Sequence, residues 1–599
     1  MLLIKHDKLF HLLYVLIVLL LLMKLAPGFI SGVKGATFGC IERERQALLK
    51  FKEDLIDDFG LLSTWGSEEE KRDCCKWRGV RCNNLTGHVT HLDLSGFNLS
   101  QTIDWLQVPN KLPRLHELLL RHCSLSIIGS PSLSLANPSE SLAIVDFSDN
   151  QLTSSIFYWL ANFGNSLVDL DLSHNHLQGS IPDAFKNMTS LRTLNLSSNQ
   201  LQGDLSSFGQ MCSLNKLYIS ENNLTGKLSQ LFGCVENSLE ILQLDRNQLH
   251  GSLPDITRFT FMRELNLSWN QLNGSLPERF SQRSELVLLY LNDNQLIGSL
   301  TDVAMLSSLR ELGISNNRLD GNVSESIGSL FQLEKLHVGG NSLKASFPCN
   351  TGSGILGGLD LSNNLLTGWI PDCLMNFTSL GILNLASNNF SGKIPSSIGS
   401  MLKLQTLSLH NNSFVGELPL SLRNCSSLVF LDLSSNKLRG EIPGWIGESM
   451  PSLKILSLQS NGFSGSIPPN LCHLSNILIL DLSLNNISGI IPKCLNNLTS
   501  MVQKREPEYS LANNAVLSRS YGRPTYGSPY MSKIFRSPCR CNTDGSRYMS
   551  NTDGSMSKIF RSPDRSTIFG SPDRSTTYGS SYMSNTDGSM SQIFGSLDR

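Results

Sequence analysis

Fifteen asparagines recur along this chain at steps of 23 to 25 residues: Asn150, Asn175, Asn199, Asn222, Asn247, Asn270, Asn294, Asn317, Asn341, Asn364, Asn388, Asn412, Asn436, Asn461 and Asn485. Each follows leucine-like residues three and five positions back, and most precede leucine at +2 and glycine at +4. The segment Leu170-Asp-Leu-Ser-His-Asn175-His-Leu-Gln-Gly-Ser-Ile-Pro182 carries the whole unit. A fixed period of this length marks a solenoid: one unit of about 24 residues cannot bury its own apolar face, but stacked units can. Alternate side chains of a short strand point opposite ways, so Leu170 and Leu172 go inward while Asp171 and Ser173 face out. The strands then align in parallel, one per coil, roughly 4.8 Å apart. The asparagine stands where the chain leaves the strand. Its amide can satisfy backbone groups that would otherwise be buried unpaired, at roughly 1–3 kcal/mol each, so the row is expected to be structural rather than a ligand site. Phe97 and Cys123 take its place in two earlier units, giving seventeen units over residues 85–500.

Glycine and proline punctuate the second half of the unit, as in Gly179–Pro182, Gly251–Pro254, Gly274–Pro277, Gly368–Pro371, Gly392–Pro395, Gly416–Pro419, Gly440–Pro443, Gly465–Pro468 and Gly489–Pro492. Glycine permits a turn, and proline fixes extended backbone with no donor to offer. These residues resemble the plant-type leucine-rich repeat. The resemblance implies an α/β-type solenoid, mostly β: a right-handed superhelix of about seventeen coils with a parallel concave sheet, a second short strand on the flank, an N-terminal disulfide cap and a disordered C-terminal tail.

The chain opens with Lys5, His6 and Lys8, an apolar run from Leu9 to Met23, and the small-residue stretch Ser31-Gly-Val-Lys-Gly-Ala36. Residues 1–35 read as a secretory signal peptide, the run being short for a membrane span of about 20 residues. Cys40, Cys74, Cys75 and Cys82 follow within residues 36–84. A first coil has a leucine face without a neighbour and needs a lid, which a secreted chain can staple with disulfides. Sequence alone allows three pairings, with a zinc site as the rival. The segment resembles the N-terminal cap of plant leucine-rich repeat receptors, which implies Cys40 with Cys74 and Cys75 with Cys82. Three later couples stand about one coil apart, Cys212 with Cys234, Cys349 with Cys373 and Cys472 with Cys494, while Cys425 has no evident mate. Staples between neighbouring coils and buried free thiols are both open for these.

Asn-x-Ser/Thr occurs at Asn84, Asn98, Asn187, Asn195, Asn223, Asn266, Asn273, Asn322, Asn376, Asn389, Asn411, Asn424, Asn486 and Asn497. With a signal peptide in place most are expected to be glycosylated. Residues 501–599 differ in kind. Ser550-Asn-Thr-Asp-Gly-Ser-Met-Ser-Lys-Ile-Phe560 recurs almost unchanged at Ser584–Phe594, and the segment is rich in Ser, Gly, Pro and Arg. It is expected to be disordered. Its thirteen Lys and Arg exceed its eight Asp and Glu, a net of +5, which leaves −6 for the rest of the chain. It reads as an extension without function, a weak polyanion contact being the other reading; no nucleic-acid partner is expected.

Cap, repeats and leader together resemble a plant leucine-rich repeat receptor-like protein of the ethylene-inducing xylanase receptor and disease-resistance type. The resemblance implies a recognition module on the extracellular side of the plasma membrane, binding a protein or peptide elicitor and signalling through partner receptor kinases. Met501-Val-Gln-Lys-Arg-Glu-Pro-Glu-Tyr509 resembles the start of the non-repeat island of such ectodomains. The further repeats and membrane helix that the family adds are not read here, since no run of about 20 apolar residues follows residue 40. The expectation is a receptor shortened at its island. It is membrane-bound only through a further C-terminal helix or a retained leader, and otherwise lies in the apoplast. The leucines near Leu480 and Leu482 are expected to lack a lid, giving an aggregation-prone product.

Outward strand positions are bland in many coils, such as Leu-Asp-Leu-Ser at 359–362, 431–434 and 480–483. Between about 216 and 337 they read Lys216, Tyr218, Glu221, Gln243, Asp245, Arg246, Arg263, Glu264, Trp269, Tyr290, Asp293, Arg310, Glu311, Lys335 and His337. Exposed aromatics and arginines on a rigid surface are the stuff of interaction hot spots, so this band is the candidate ligand contact. The other reading is a solvated face of ordinary cross-strand ion pairs, such as Arg263 with Glu311 or Lys335, and a glycan on Asn266 would sit inside the band. No nucleotide loop, kinase lysine, Gly-x-Ser-x-Gly or His-Glu-x-x-His stands in the chain, so no enzyme and no cofactor are expected. Competing readings are a secreted inhibitor of microbial wall-degrading enzymes, built from about ten such coils with a closing cap, and an inactive receptor fragment.

Overall fold

The computed structural model describes residues 39–501, apart from 54, 58–59, 103–104, 127–140, 277–284, 300–305, 323–331 and 348–354. The leader and the repetitive tail lie outside the described residues, as does Cys349. The chain divides into two compact units, Met1–Gln200 and Leu201–Arg599.

The first unit begins with the helix Glu42–Lys52, which buries Leu48 and Phe51 and carries acids in its first turn and lysines in its last, the sense that suits the helix dipole. Glu44 is buried beneath it. One carboxylate oxygen takes His88 Nδ1 at 2.6 Å and the other accepts the Val89 N–H at 2.7 Å, so the helix is tied to the first rung. Lys52 Nζ donates to the carbonyls of Leu62 and Trp65, and the Trp65 and Trp77 rings stack at 5.1 Å. Disulfides Cys40–Cys74 and Cys75–Cys82 hold this lid, paired as the family resemblance implies. Val80–Cys82 runs antiparallel to Val89–Asp93, and from there every pairing is parallel: Glu117–Leu119, Ile144–Asp146, Asp169–Asp171 and Thr193–Asn195. Trp105, Phe147, Trp159 and Phe163 pack as one aromatic group in the interior.

The second unit stacks twelve such rungs, from Lys216–Tyr218 to Ile479–Asp481, so the two units together hold the seventeen coils counted in the sequence. Leucine lies on leucine in strict register, as in Leu217↔Leu242 and Leu242↔Leu265. The flanking strands are present as well, in ladders such as His250–Ser252, Gln271–Ser275, Gln295–Ser299 and Arg318–Asp320. After several of the prolines the return limb winds into a short 3-10 turn, as at Ser396–Ser400 after Pro395 and Leu420–Asn424 after Pro419. Cys212–Cys234 and Cys472–Cys494 staple neighbouring coils; Cys425 is a buried thiol whose Sγ donates to the Ile398 carbonyl.

Each ladder asparagine bridges two coils. Asn364 Oδ1 accepts the N–H of Leu343 in the preceding coil at 3.0 Å, and its Nδ2 lies 3.1 Å from the Val338 carbonyl of that coil. The same Nδ2 meets the carbonyls of Leu361 and Ser362 in its own coil. Where Cys123 replaces the amide, the thiol donates to the Leu94 carbonyl at 3.1 Å, and burial pushes that thiol up to about 12. Phe97 fills its place with a buried ring.

Ser173 faces away from the leucines as expected, yet it is only 6% exposed, its N–H and hydroxyl both folding back onto Asp171 Oδ1. One expectation is corrected. Leu480 and Leu482 are 5% and 4% exposed, so the last rung does not present a bare apolar row.

Asn364→Ala is expected to destabilise its coils by about 2–4 kcal/mol, since one buried N–H and several carbonyls lose their partner together. Hydrogen exchange should show the loss at Leu343 first, with protection of the Leu217 rung unchanged.

A half-buried recognition face

Side chains at strand positions −6, −4 and −2 before each ladder asparagine point away from the leucine interior. In the second unit the −6 row runs Lys216, Ile241, Glu264, Leu288, Glu311, Lys335, and the −4 row runs Tyr218, Gln243, Asn266, Tyr290, Gly313, His337, each in register with the next rung. The band read from sequence is therefore one surface. It is less exposed than expected. Arg246, Arg263 and Arg310 are exposed, but Lys216, Tyr218, Gln243, Asp245, Glu264, Trp269, Tyr290, Asp293, Glu311 and His337 are only half-exposed or less.

The reason is cross-strand bonding within the band. Gln243 Nε2 donates to Glu264 Oε1 at 2.6 Å. Asp245 Oδ1 accepts from Ser220 Oγ and from Asn266 Nδ2. Tyr290 donates its phenol proton to Glu311, whose other oxygen takes Lys335 Nζ at 2.7 Å; Arg263 is not the partner. Asn316 Nδ2 holds Asp293, and Arg310 faces Glu334 at 3.4 Å. Gly313 lets the Tyr290 ring lie across the sheet, since a Cβ there would meet its Cδ1 at 2.9 Å. Burial, with Glu311 and Asp245 close by, holds the Glu264 carboxyl above its usual range; burial does the same for Asp245. Burial depresses His337, and its Nδ1 has no hydrogen-bond partner among the described residues.

One feature of the face was not read from the sequence. The residue just before the ladder asparagine is left-handed in coil after coil, at φ 57° for Arg246, 58° for Trp269 and 55° for Asp293. The cost is met by a backbone bond to the next rung, such as Trp269 N–H to the Asn292 carbonyl at 2.8 Å. Glycine takes this place at Gly340 and asparagine at Asn316, Asn363 and Asn411, types that favour the conformation, but Arg246, Trp269 and Leu484 give no such warning. Three predicted contacts, Arg246, Trp269 and Asp293, thus project from successive turns at the rim of the sheet. The Arg246 guanidinium lies 5.6 Å from the Trp269 ring centre and 3.5 Å from Glu221.

Of the sequons, Asn195 and Asn266 sit on strands with their amides given to Asp171 and Asp245, while the other twelve are exposed. A recess beside the cap, lined by Arg81, His91, Asp93 and Glu117, holds about 130 Å³. That is below the size of a small-molecule pocket, roughly 300 Å³ and up. No helix among the described residues is long and apolar enough to cross a membrane.

A family model for the leucine rich repeat N-terminal domain matches residues 41–83, and leucine rich repeat models match 140–201, 189–233 and seven further stretches between 261 and 474. Receptor-like protein EIX1 of Solanum lycopersicum is 39% identical over 171 residues, 28% of this chain and 15% of that protein. Receptor-like protein EIX2 of the same organism is 30% identical over 303 residues, 32% of this chain and 29% of that protein. The chain thus spans less than a third of the length of these relatives. The crystal structure of a TDR receptor superposes with a TM-score of 0.55 at 26% identity, covering 69% of this chain and 83% of that one.

Two outcomes are expected. Glu264→Gln should stabilise the fold at neutral pH, because a raised carboxyl opposes folding once ionised; the gain should vanish as pH falls below the unfolded carboxyl value, about 4.3, where both states bind the proton. Urea denaturation at several pH values reads this. Glycopeptide mapping of the secreted chain should find Asn195 and Asn266 bare and glycans at exposed sequons such as Asn223 and Asn411.

Proposed function

This chain belongs to the plant leucine-rich repeat receptor-like proteins, and we propose that it is the extracellular recognition module of a cell-surface defence receptor. In this reading it binds a protein or peptide elicitor on the open face of the rungs between 216 and 337, and it signals through receptor-kinase partners. The observation that carries the reading is the display of Arg246, Trp269 and Asp293 from consecutive left-handed turns beside Tyr290. A guanidinium, an indole and a phenol in one strip are the residue types on which interface energy concentrates. The supporting network favours the same view. Side chains already fixed by Gln243, Asn266 and Lys335 lose little freedom on binding, which lowers the entropic cost of association. Likeness to EIX1 and EIX2 supports the receptor class, and the twelve exposed sequons and four cap cysteines suit an extracellular setting.

The test uses a phage-displayed peptide library selected on the full chain. Selected peptides are expected to bind the Trp269→Ala/Tyr290→Ala double variant at least about 30-fold more weakly, or 2 kcal/mol. A variant that keeps its circular dichroism and its affinity for every selected peptide would retire the band as the contact.

A further inference from the structure

The residue after each ladder asparagine lies on the outward side of the flanking strand, and so does the residue four places further on. Nearly all of these are polar, charged or small, as with Asn223, Lys393 and Glu417. One coil departs at both places. Leu365 is the one large apolar side chain to follow a ladder asparagine, and Trp369 stands four residues beyond it. Both are open to solvent, Leu365 at 43% and Trp369 at 71%. A single exposed apolar residue is ordinary. Two that flank one short strand on its outward side, one of them an indole, make a patch.

The next coil brings a sequon to the same patch. Thr367–Gly368 pairs in parallel with Asn389–Gly392, Thr367 opposite Asn389. Asn389-Phe390-Ser391 is an Asn-x-Ser site. Phe390 turns inward and is buried, so Asn389 turns outward with Thr367, and both are exposed. Leu365 and Trp369 stand two residues to either side of Thr367, which places each roughly 8 Å from Asn389 by strand spacing and rise. Gly392, at φ 79°, lets the tryptophan lie flush against this coil, since a Cβ there would come within 3.3 Å of the Trp369 Cβ. The Asn389 carboxamide is not spent on a neighbouring carboxylate, as those of Asn195 and Asn266 are.

Two other sequons hold the same place in their coils and serve as controls. Asn223 and Asn486 also follow a ladder asparagine directly. The coils before them offer Gln200 with Asp204, and Gly462 with Ser466, where Leu365 and Trp369 stand here. In this row the apolar pair thus coincides with a sequon once. A pyranose has an apolar face of C–H bonds, whose weakly positive hydrogens suit the negative face of an aromatic ring. The first N-acetylglucosamine of an N-linked glycan is tethered beside its asparagine by the glycosidic bond, so no separate ligand has to be recruited.

We propose that the Asn389 glycan folds down onto this patch, its first N-acetylglucosamine stacked on the Trp369 indole with Leu365 beside it. Held there, the sugar closes the flank from Leu365 to Ser391 to protein partners. The assignment rests on Asn389 carrying a glycan, and it is independent of the ligand band between 216 and 337.

The full chain, secreted from cells that make high-mannose glycans, tests this. Peptide N-glycosidase F acting on the folded protein must reach the bond between Asn389 and the first sugar. Trp369→Ala is expected to speed release at Asn389 about fivefold, the scale of one aromatic contact, and to leave release at Asn223 and Asn486 unchanged. The converse readout is hydroxyl-radical footprinting by mass spectrometry. Asn389→Gln should raise oxidation of Trp369 about fivefold while circular dichroism stays the same. Glycopeptide mapping of the untreated chain separates two ways of failing. A bare Asn389 overturns the proposal through its glycan. An occupied Asn389 whose release ignores Trp369, or a Trp369 oxidised equally in both chains, overturns it through the stacking.

Discussion

A carboxamide shared between two coils is the bond on which the rest of this molecule depends. A strand three residues long closes few hydrogen bonds of its own, and the chain must then turn away, leaving backbone groups pointing into an interior made of leucine. Asn364 and its counterparts answer that problem with one side chain, which accepts from the preceding coil and donates to carbonyls of both. Leucine burial supplies the larger energy, but it is indifferent to register. The amide is not: its oxygen and nitrogen meet their partners only when neighbouring coils align residue for residue. Cys123 shows the limit of substitution, since a thiol reaches the Leu94 carbonyl yet cannot accept as an amide oxygen does.

The frame was legible because its causes are periodic. Leu170 and Leu172 recur in every coil, so their burial could be read without a structure; the flanking strand was legible only through the family resemblance that the glycine and proline carry. The N-terminal lid was legible through likeness to known caps rather than through spacing. What stayed hidden has no periodic sign. Ser173 faces outward as strand alternation implies, but its low exposure comes from a bond back to Asp171 that alternation does not encode. The left-handed turn at Trp269 was invisible because a backbone bond to Asn292, rather than a glycine, makes that conformation acceptable.

The same gap explains the candidate face. Its residues were chosen by type, and the strand residues among them stand in register on successive rungs. Exposure did not follow, because Tyr290, Glu311 and Lys335 satisfy one another across Gly313. An arginine read as a partner of Glu311, Arg263, stands free of it at the strand's edge. Hot-spot chemistry and internal bonding are therefore superimposed on this face. A visiting ligand meets groups that are already oriented and partly neutralised.

The left-handed residue beside each ladder asparagine has a consequence for how such a surface can change over generations. Its backbone is held by the next rung whatever side chain it bears, as Ser435, Leu484 and Arg246 at nearly the same φ illustrate. Mutation at these sites alters what is shown to the outside while leaving the scaffold's assembly untouched. The solenoid thus carries a column of interchangeable letters on an invariant spine, and new specificities can be spelled one coil at a time.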